Sequence, residues 1–74
     1  MKPSDIKVDD IYRCINGTYR RVVFFWSPKH GYKPTDLAYV KLVRERKTGR
    51  FIRKTWVDGN CTIKHFARWS TRRV

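Results

Sequence analysis

Short apolar runs alternate with turn residues along most of the chain, and only the tail changes period. Ile6 and Val8 alternate with polar residues as far as Asp9-Asp10, where the chain is expected to turn. Ile11–Ile15 then reads as a short strand. Asn16-Gly17 follows, a strong hairpin signal because both residues tolerate positive φ. Thr18–Trp26 is the returning strand, rich in the aromatic and β-branched residues that suit a pleated, half-buried surface. Ser27–Asp36 has two prolines, a glycine and no period, so it reads as a loop that is long for a hairpin. Leu37–Arg44 predicts a third strand, Glu45–Arg50 a turn around Gly49, and Phe51–Val57 a fourth strand. Asp58-Gly59-Asn60 predicts another turn.

The tail, CTIKHFARWSTRRV, predicts a helix. Thr62 has the side chain for an N-cap. Ile63, Phe66, Ala67 and Ser70 fall at i, i+3, i+4 and i+7, one narrow stripe of an amphipathic helix. Lys64, Arg68 and Arg72 are spaced by four and line a second face, and Arg72 and Arg73 suit the dipole at the C-terminal end. The pattern as a whole predicts one mainly-β domain over residues 1–74. Its expected form is a small curled antiparallel sheet, an SH3-like barrel or β-roll, with a short C-terminal helix plugging one open end. The alternative is an open sheet of three or four strands with the helix across one face.

Composition sharpens this. A chain of 74 residues holds one small core, and at this length folding buries only roughly 60% of the unfolded surface. A hydrophobic content of 41% with 15% aromatics sets it apart from a disordered basic tail. Most of Phe24, Phe25, Trp26, Tyr39, Phe51, Trp56, Phe66 and Trp69 are expected in the core. VVFFW is apolar on both strand faces, so one side can exceed what the core covers; Phe25, or Tyr32 in the loop, is the candidate exposed ring.

Charge changes the picture most. The formal net charge is +12 and the isoelectric point about 10.4. Residues 1–19 carry Lys2, Lys7 and Arg13 against Asp5, Asp9 and Asp10, so all of the net charge lies in residues 20–74. Such a charge repels itself in the compact state, and a polyanionic partner relieves that repulsion. Between residues 41 and 54, Lys41, Arg44, Arg46, Lys47, Arg50, Arg53 and Lys54 surround Glu45 alone. A hairpin turning near Lys47-Thr48-Gly49 gathers Arg46, Lys47 and Arg50 at its tip and part of the rest on one face, a basic ribbon suited to a phosphate backbone or a major groove. A merely solvated hairpin would mix Glu with Lys, since like charges directly opposite destabilise. Arg20 and Arg21 form a second set on opposite strand faces, and Lys64, Arg68, Arg72 and Arg73 a third. These sets merge into one stripe if the helix packs near the sheet edge, and otherwise scatter over the surface.

Catalytic signatures do not arise. The chain has no Gly-rich phosphate loop, no H-E-x-x-H and no G-x-S-x-G, and its six carboxylates mostly sit where turns want them. Cys14, His30, Cys61 and His65 have the count for a zinc site but lack paired C-x-x-C spacing. No enzyme activity, cofactor or metal is therefore expected, and the cysteines read as reduced thiols. The start, MKPSDIKVDD, has no apolar run, and nothing approaches a membrane span, so a soluble cytoplasmic protein without membrane contact is expected.

The last third, VDGNCTIKHFARWSTRRV, resembles the ending of small phage- and prophage-encoded proteins of unknown function, which close on a pattern like G-x-C-(S/T)-(L/I)-x-x-F-A-R-W. Gly59, Cys61, Thr62, Ile63, Phe66, Ala67, Arg68 and Trp69 match it, and IYRCINGTYRRVV is similar in style. The resemblance implies a bacterial or phage setting, and with it a bacterial host cytoplasm; it implies no activity. The expectation is a small non-enzymatic protein that binds DNA or RNA through phosphate contacts, as a monomer or small homo-oligomer. Arg44, Arg46, Lys47, Arg50, Arg53 and Lys54 are the first candidates, then Arg20, Arg21, Lys64, Arg68 and Arg72. The alternative is a phage accessory protein that binds and inhibits or redirects a host protein. A third reading is a structural piece of a virion, with VVFFW as an oligomer seam.

Overall fold

A computed structural model describes residues 1–54 and 59–74, and among these residues it has six strands and one short α-helix. The strands are β1 (Ile11–Cys14), β2 (Tyr19–Trp26), β3 (Asp36–Arg44), β4 (Phe51–Arg53), β5 (Gly59–Thr62) and β6 (Ser70–Arg73). Helix α1 spans Ile63–Trp69, and a 3-10 turn over Pro3–Asp5 opens the chain. All strands join one antiparallel sheet in the order β4-β3-β2-β1-β6. Strand β3 is long enough to hold two partners on the same edge: Leu42–Arg44 pair with β4 and Asp36–Tyr39 with β5. The mainly-β antiparallel sheet with one short helix near the C-terminus is thus as expected, and the sheet is open.

Local signals formed the turns. Between β1 and β2, Gly17 donates to the Cys14 carbonyl (2.9 Å) and Cys14 to the Thr18 carbonyl (2.8 Å), which leaves Gly17 at φ +79°. Only the glycine, not Asn16, uses positive φ; Asn16 instead accepts from the Thr18 hydroxyl through Oδ1 (2.6 Å). The β3–β4 hairpin closes through Glu45 N–H to the Arg50 carbonyl and Gly49 N–H to the Glu45 carbonyl, both 2.8 Å.

Two expectations fail in the tail and one just before it. Gly59 and Asn60 belong to β5, not to a turn; Asp58 and the end of the expected fourth strand lie outside the described residues. Gly59 sits opposite Tyr39, and a Cβ there would meet the Tyr39 hydroxyl at 3.0 Å, at a φ of +155°. The helix is capped as expected, Thr62 Oγ1 accepting from His65 N–H (3.1 Å), but it ends at Trp69. Ser70 stops it: its hydroxyl donates to the Phe66 carbonyl (2.8 Å) while its backbone turns extended. Ser70–Arg73 then pairs with β1, and Thr71 Oγ1 donates to the Arg13 carbonyl (3.0 Å). Arg72 is therefore a strand residue and shares no helical face with Lys64 and Arg68.

The core lies between α1 and one face of the sheet. Ile6, Tyr12, Val22, Leu37, Tyr39, Phe66 and Ala67 are buried there, with Phe25, Cys61, Ile63 and Trp69 packed against them. Phe66 is the hub: its ring meets Tyr12 edge-on at 5.6 Å and Tyr39 at 5.9 Å. Tyr12 has no exposed surface and ties the N-terminal turn down, its hydroxyl accepting from Lys7 N–H (2.7 Å) and donating to the Asp5 carbonyl (3.2 Å). Removing a buried aromatic side chain costs about 3–5 kcal/mol, against roughly 4–11 kcal/mol of total stability for a domain of this length. Phe66→Ala is expected to lose most or all of the cooperative thermal transition, followed by near-ultraviolet circular dichroism. A melting temperature within a few degrees of the parent would contradict the central place of this ring.

Candidate nucleic-acid interface

Strand register sorts the basic residues by face. Arg13 of β1 stands opposite both Arg72 of β6 and Tyr19 of β2. Tyr19 in turn stands opposite Leu42 of β3, and Leu42 opposite Arg53 of β4. Directly opposed residues share a sheet face, so Arg72, Arg13, Tyr19, Leu42 and Arg53 form one row across five strands. A second row on this face runs Ile11, Arg21, Val40, and a third pairs Arg44 with Phe51. Residues of the helix-covered face (Tyr12, Val22, Tyr39) alternate with these. Among the described residues no helix or second sheet covers the face that bears the rows.

This open face has an apolar floor under a basic surface. Val40 and Leu42 are buried, and with Val23, Arg21, Phe51 and Arg53 they line a shallow cavity of about 410 Å³, to which Asp9 adds one carboxylate. The Tyr19 and Phe51 rings meet at 4.9 Å, and the Arg44 guanidinium lies 5.4 Å from the Phe51 ring centre. Of Arg13, Arg21, Arg44 and Arg72, none has a carboxylate within ion-pair distance among the described residues; the pair found there is Arg73 with Asp10 at 3.4 Å.

A β-bulge adds an aromatic ring. Val22 pairs with Tyr39 but Phe24 pairs with Ala38, so the register slips by one residue between them. Val22 and Phe24 therefore point to opposite faces although two residues apart. Val22 is buried under the helix, whereas Phe24 is 51% exposed. The ring expected to be exposed, Phe25, packs against the core instead. Tyr32 is exposed in the long loop, with Lys29 Nζ 5.7 Å from its centre.

The remaining candidates divide. Arg46, Lys47 and Arg50 are exposed at the β3–β4 tip, as the hairpin demands. Lys54 N–H donates to the Lys41 carbonyl (3.0 Å), which sets Lys54 beside Lys41 at the end of that strand pair. Lys41 stands opposite Arg20, on the face away from the rows, and Lys64 and Arg68 are exposed on α1, so the expected single stripe is instead an open-face set with the hairpin tip, with Lys54 beside Lys41 and the helix pair apart from it.

Arg20 leaves the candidate set. It is 5% exposed, because its strand position faces the helix. Its guanidinium lies 4.8 Å from the Trp69 ring centre and 5.4 Å from that of Tyr39, held by π faces, with no carboxylate in ion-pair distance among the described residues. Nη1 donates to Thr18 Oγ1 (2.7 Å), while Nε is buried without a partner. Arg13 is the reverse case: its charge cancels in the sum over residues 1–19, and the alternation Tyr12, Arg13, Cys14 is the signal that marks it.

Cys14 is buried and Cys61 half-buried, both reduced, and the His65 ring packs on Trp69 at 4.3 Å. Burial pushes the Cys61 thiol from 9.0 up to about 11, partly offset by the Arg20 charge. Burial also raises the Tyr12 hydroxyl. No protein-family model, curated protein or solved structure matches the chain.

The raised Cys61 thiol titrates earlier in the unfolded chain, so its contribution to stability is complete below pH 9 and is lost as pH rises through about 11; the raised Tyr12 hydroxyl acts in the same direction. The melting temperature is expected to fall across that window, and Cys61→Ala to remove part of the fall. An identical profile in the variant would contradict the desolvated thiol.

Proposed function

We propose that this protein is a small, non-enzymatic nucleic-acid-binding domain that grips phosphate backbone with the open sheet face and the β3–β4 hairpin tip. The observation that carries this is the cross-strand row Arg72, Arg13, Tyr19, Leu42, Arg53, flanked on the same face by Arg21 and Arg44. Arg13 and Arg72 stand directly opposite each other, an arrangement that costs stability in a free sheet. A phosphate between them turns that cost into two charge-assisted contacts. The exposed Arg46, Lys47 and Arg50 extend the field beyond the sheet. The resemblance of the tail to phage-encoded proteins supports a bacterial or phage setting.

A second reading, an accessory protein that binds a host protein, draws on Val43 and Ile52, which stand opposite each other and are each 48% exposed. Capture from bacterial lysate separates the two, since a protein partner survives nuclease treatment and a nucleic-acid bridge does not.

If about five phosphates are neutralised, log K against log salt should slope at about −4 to −5 for duplex DNA and about −3.5 for a single strand. The Arg46→Glu, Lys47→Glu, Arg50→Glu triple variant is expected to lose most affinity at 0.1 M salt while keeping the parent's melting temperature. Unchanged affinity in that variant, or a slope near zero, would rule out the phosphate-binding hairpin.

A further inference from the structure

We infer that the open face takes single-stranded nucleic acid, with unpaired bases stacked on its aromatic rings; the inference rests on the nucleic-acid reading above and deepens it. Five strands lie abreast across the central row. At about 4.8 Å per strand spacing this face is roughly 19 Å wide, against about 12 Å for the major groove of B-DNA. The face cannot enter a groove. A duplex laid on it would offer only its outer phosphates and leave the rings and the apolar floor without partners.

The face is built for more than phosphate. Along β2 it presents Tyr19, Arg21 and Phe24, an aromatic, a cation and an aromatic, spread over roughly 16 Å at about 3.3 Å per residue. The order depends on the bulge: without the slip after Val22, Phe24 would turn toward the helix. Phe51 lies against Tyr19, and the apolar floor of Val40 and Leu42 lies between the cations. Flipped-out bases can stack on Phe24 and on the Tyr19–Phe51 pair while Arg21, Arg13 and Arg72 hold the phosphates that link them. Stacking of this kind is tolerant of sequence, because every base has a π face.

The test compares fluorescence anisotropy of labelled 12-nucleotide oligo-dT, oligo-rU and a 12-base-pair duplex, all at 0.1 M salt. Both single strands are expected to bind more tightly than the duplex, and the ratio of oligo-dT to oligo-rU reports any preference for DNA or RNA. Phe24→Ala is expected to weaken single-strand binding roughly 5- to 100-fold, with duplex binding nearly unchanged. Phe24 is exposed, so the fold should survive; Tyr19→Leu, with a melting curve, is the companion variant. Ultraviolet cross-linking of bromouracil-substituted oligonucleotide to the unmutated protein should give adducts in residues 19–26. Duplex binding equal to single-strand binding, an equal effect of Phe24→Ala on both, or adducts confined to α1 would overturn the single-strand inference alone. Failure of all three probes to bind at low salt would overturn the nucleic-acid reading with it.

Discussion

One seven-residue helix can cover only one face of a six-stranded sheet, and the rest of the molecule follows from that limit. Phe66 and Ala67 press on Tyr12, Val22, Leu37 and Tyr39, and this contact is the centre of the two-layer core. The chain has no second layer among the described residues for the opposite face, so that face has to meet water or a partner. It does so with long basic side chains over a small apolar floor. Arginine serves both needs, since its stem covers apolar surface while its head stays hydrated. The same division explains why Arg20 and Arg21, adjacent in sequence, have opposite fates. One faces the helix and is enclosed by Trp69 and Tyr39; the other stands on the open face.

The electrostatics are costly for the free protein. Arg13 opposes Arg72, the net charge is +12, and the buried Arg20 has no carboxylate in ion-pair distance among the described residues. An isolated buried charge is normally expensive. Here the rings of Trp69 and Tyr39 and the Thr18 hydroxyl compensate in part, and Thr18 links the arginine to the β1–β2 turn through Asn16. A bound polyanion would stabilise the folded state, with the logarithm of its free concentration once that exceeds Kd, because it binds that state and relieves its self-repulsion.

What the sequence made legible was local. Asn16-Gly17, the Thr62 cap and the turn at Glu45–Arg50 are each specified within a few residues, and all three formed. What stayed hidden depends on distant pairing. The helical period of Ile63, Phe66 and Ala67 runs on through Ser70, and only β1, far away in the chain, turns Ser70–Arg73 into a strand. Gly59 reads as a turn residue until Tyr39 is seen lying against it. Within the candidate site, alternation says that one of Arg20 and Arg21 is exposed, but only register says which. Phe24 could not be assigned to a face because a bulge leaves no mark in composition. Charge density marks Arg44 and Arg53, and the place after Asn16-Gly17 marks Arg21; Arg13 sits in the electrically neutral first segment, where neither signal points.

The central claim is that positive charge is organised on one face and not spread as a halo. It is tested most directly by titrating an isotope-labelled sample with a single-stranded oligonucleotide and following amide and arginine side-chain resonances. The largest shifts are expected at Arg13, Tyr19, Arg21, Arg44 and Arg72 of the open face and at Arg46, Lys47 and Arg50 of the hairpin tip, with Lys64 and Arg68 on the helix little changed. Shifts centred on the helix, or distributed evenly over all faces, would contradict the account.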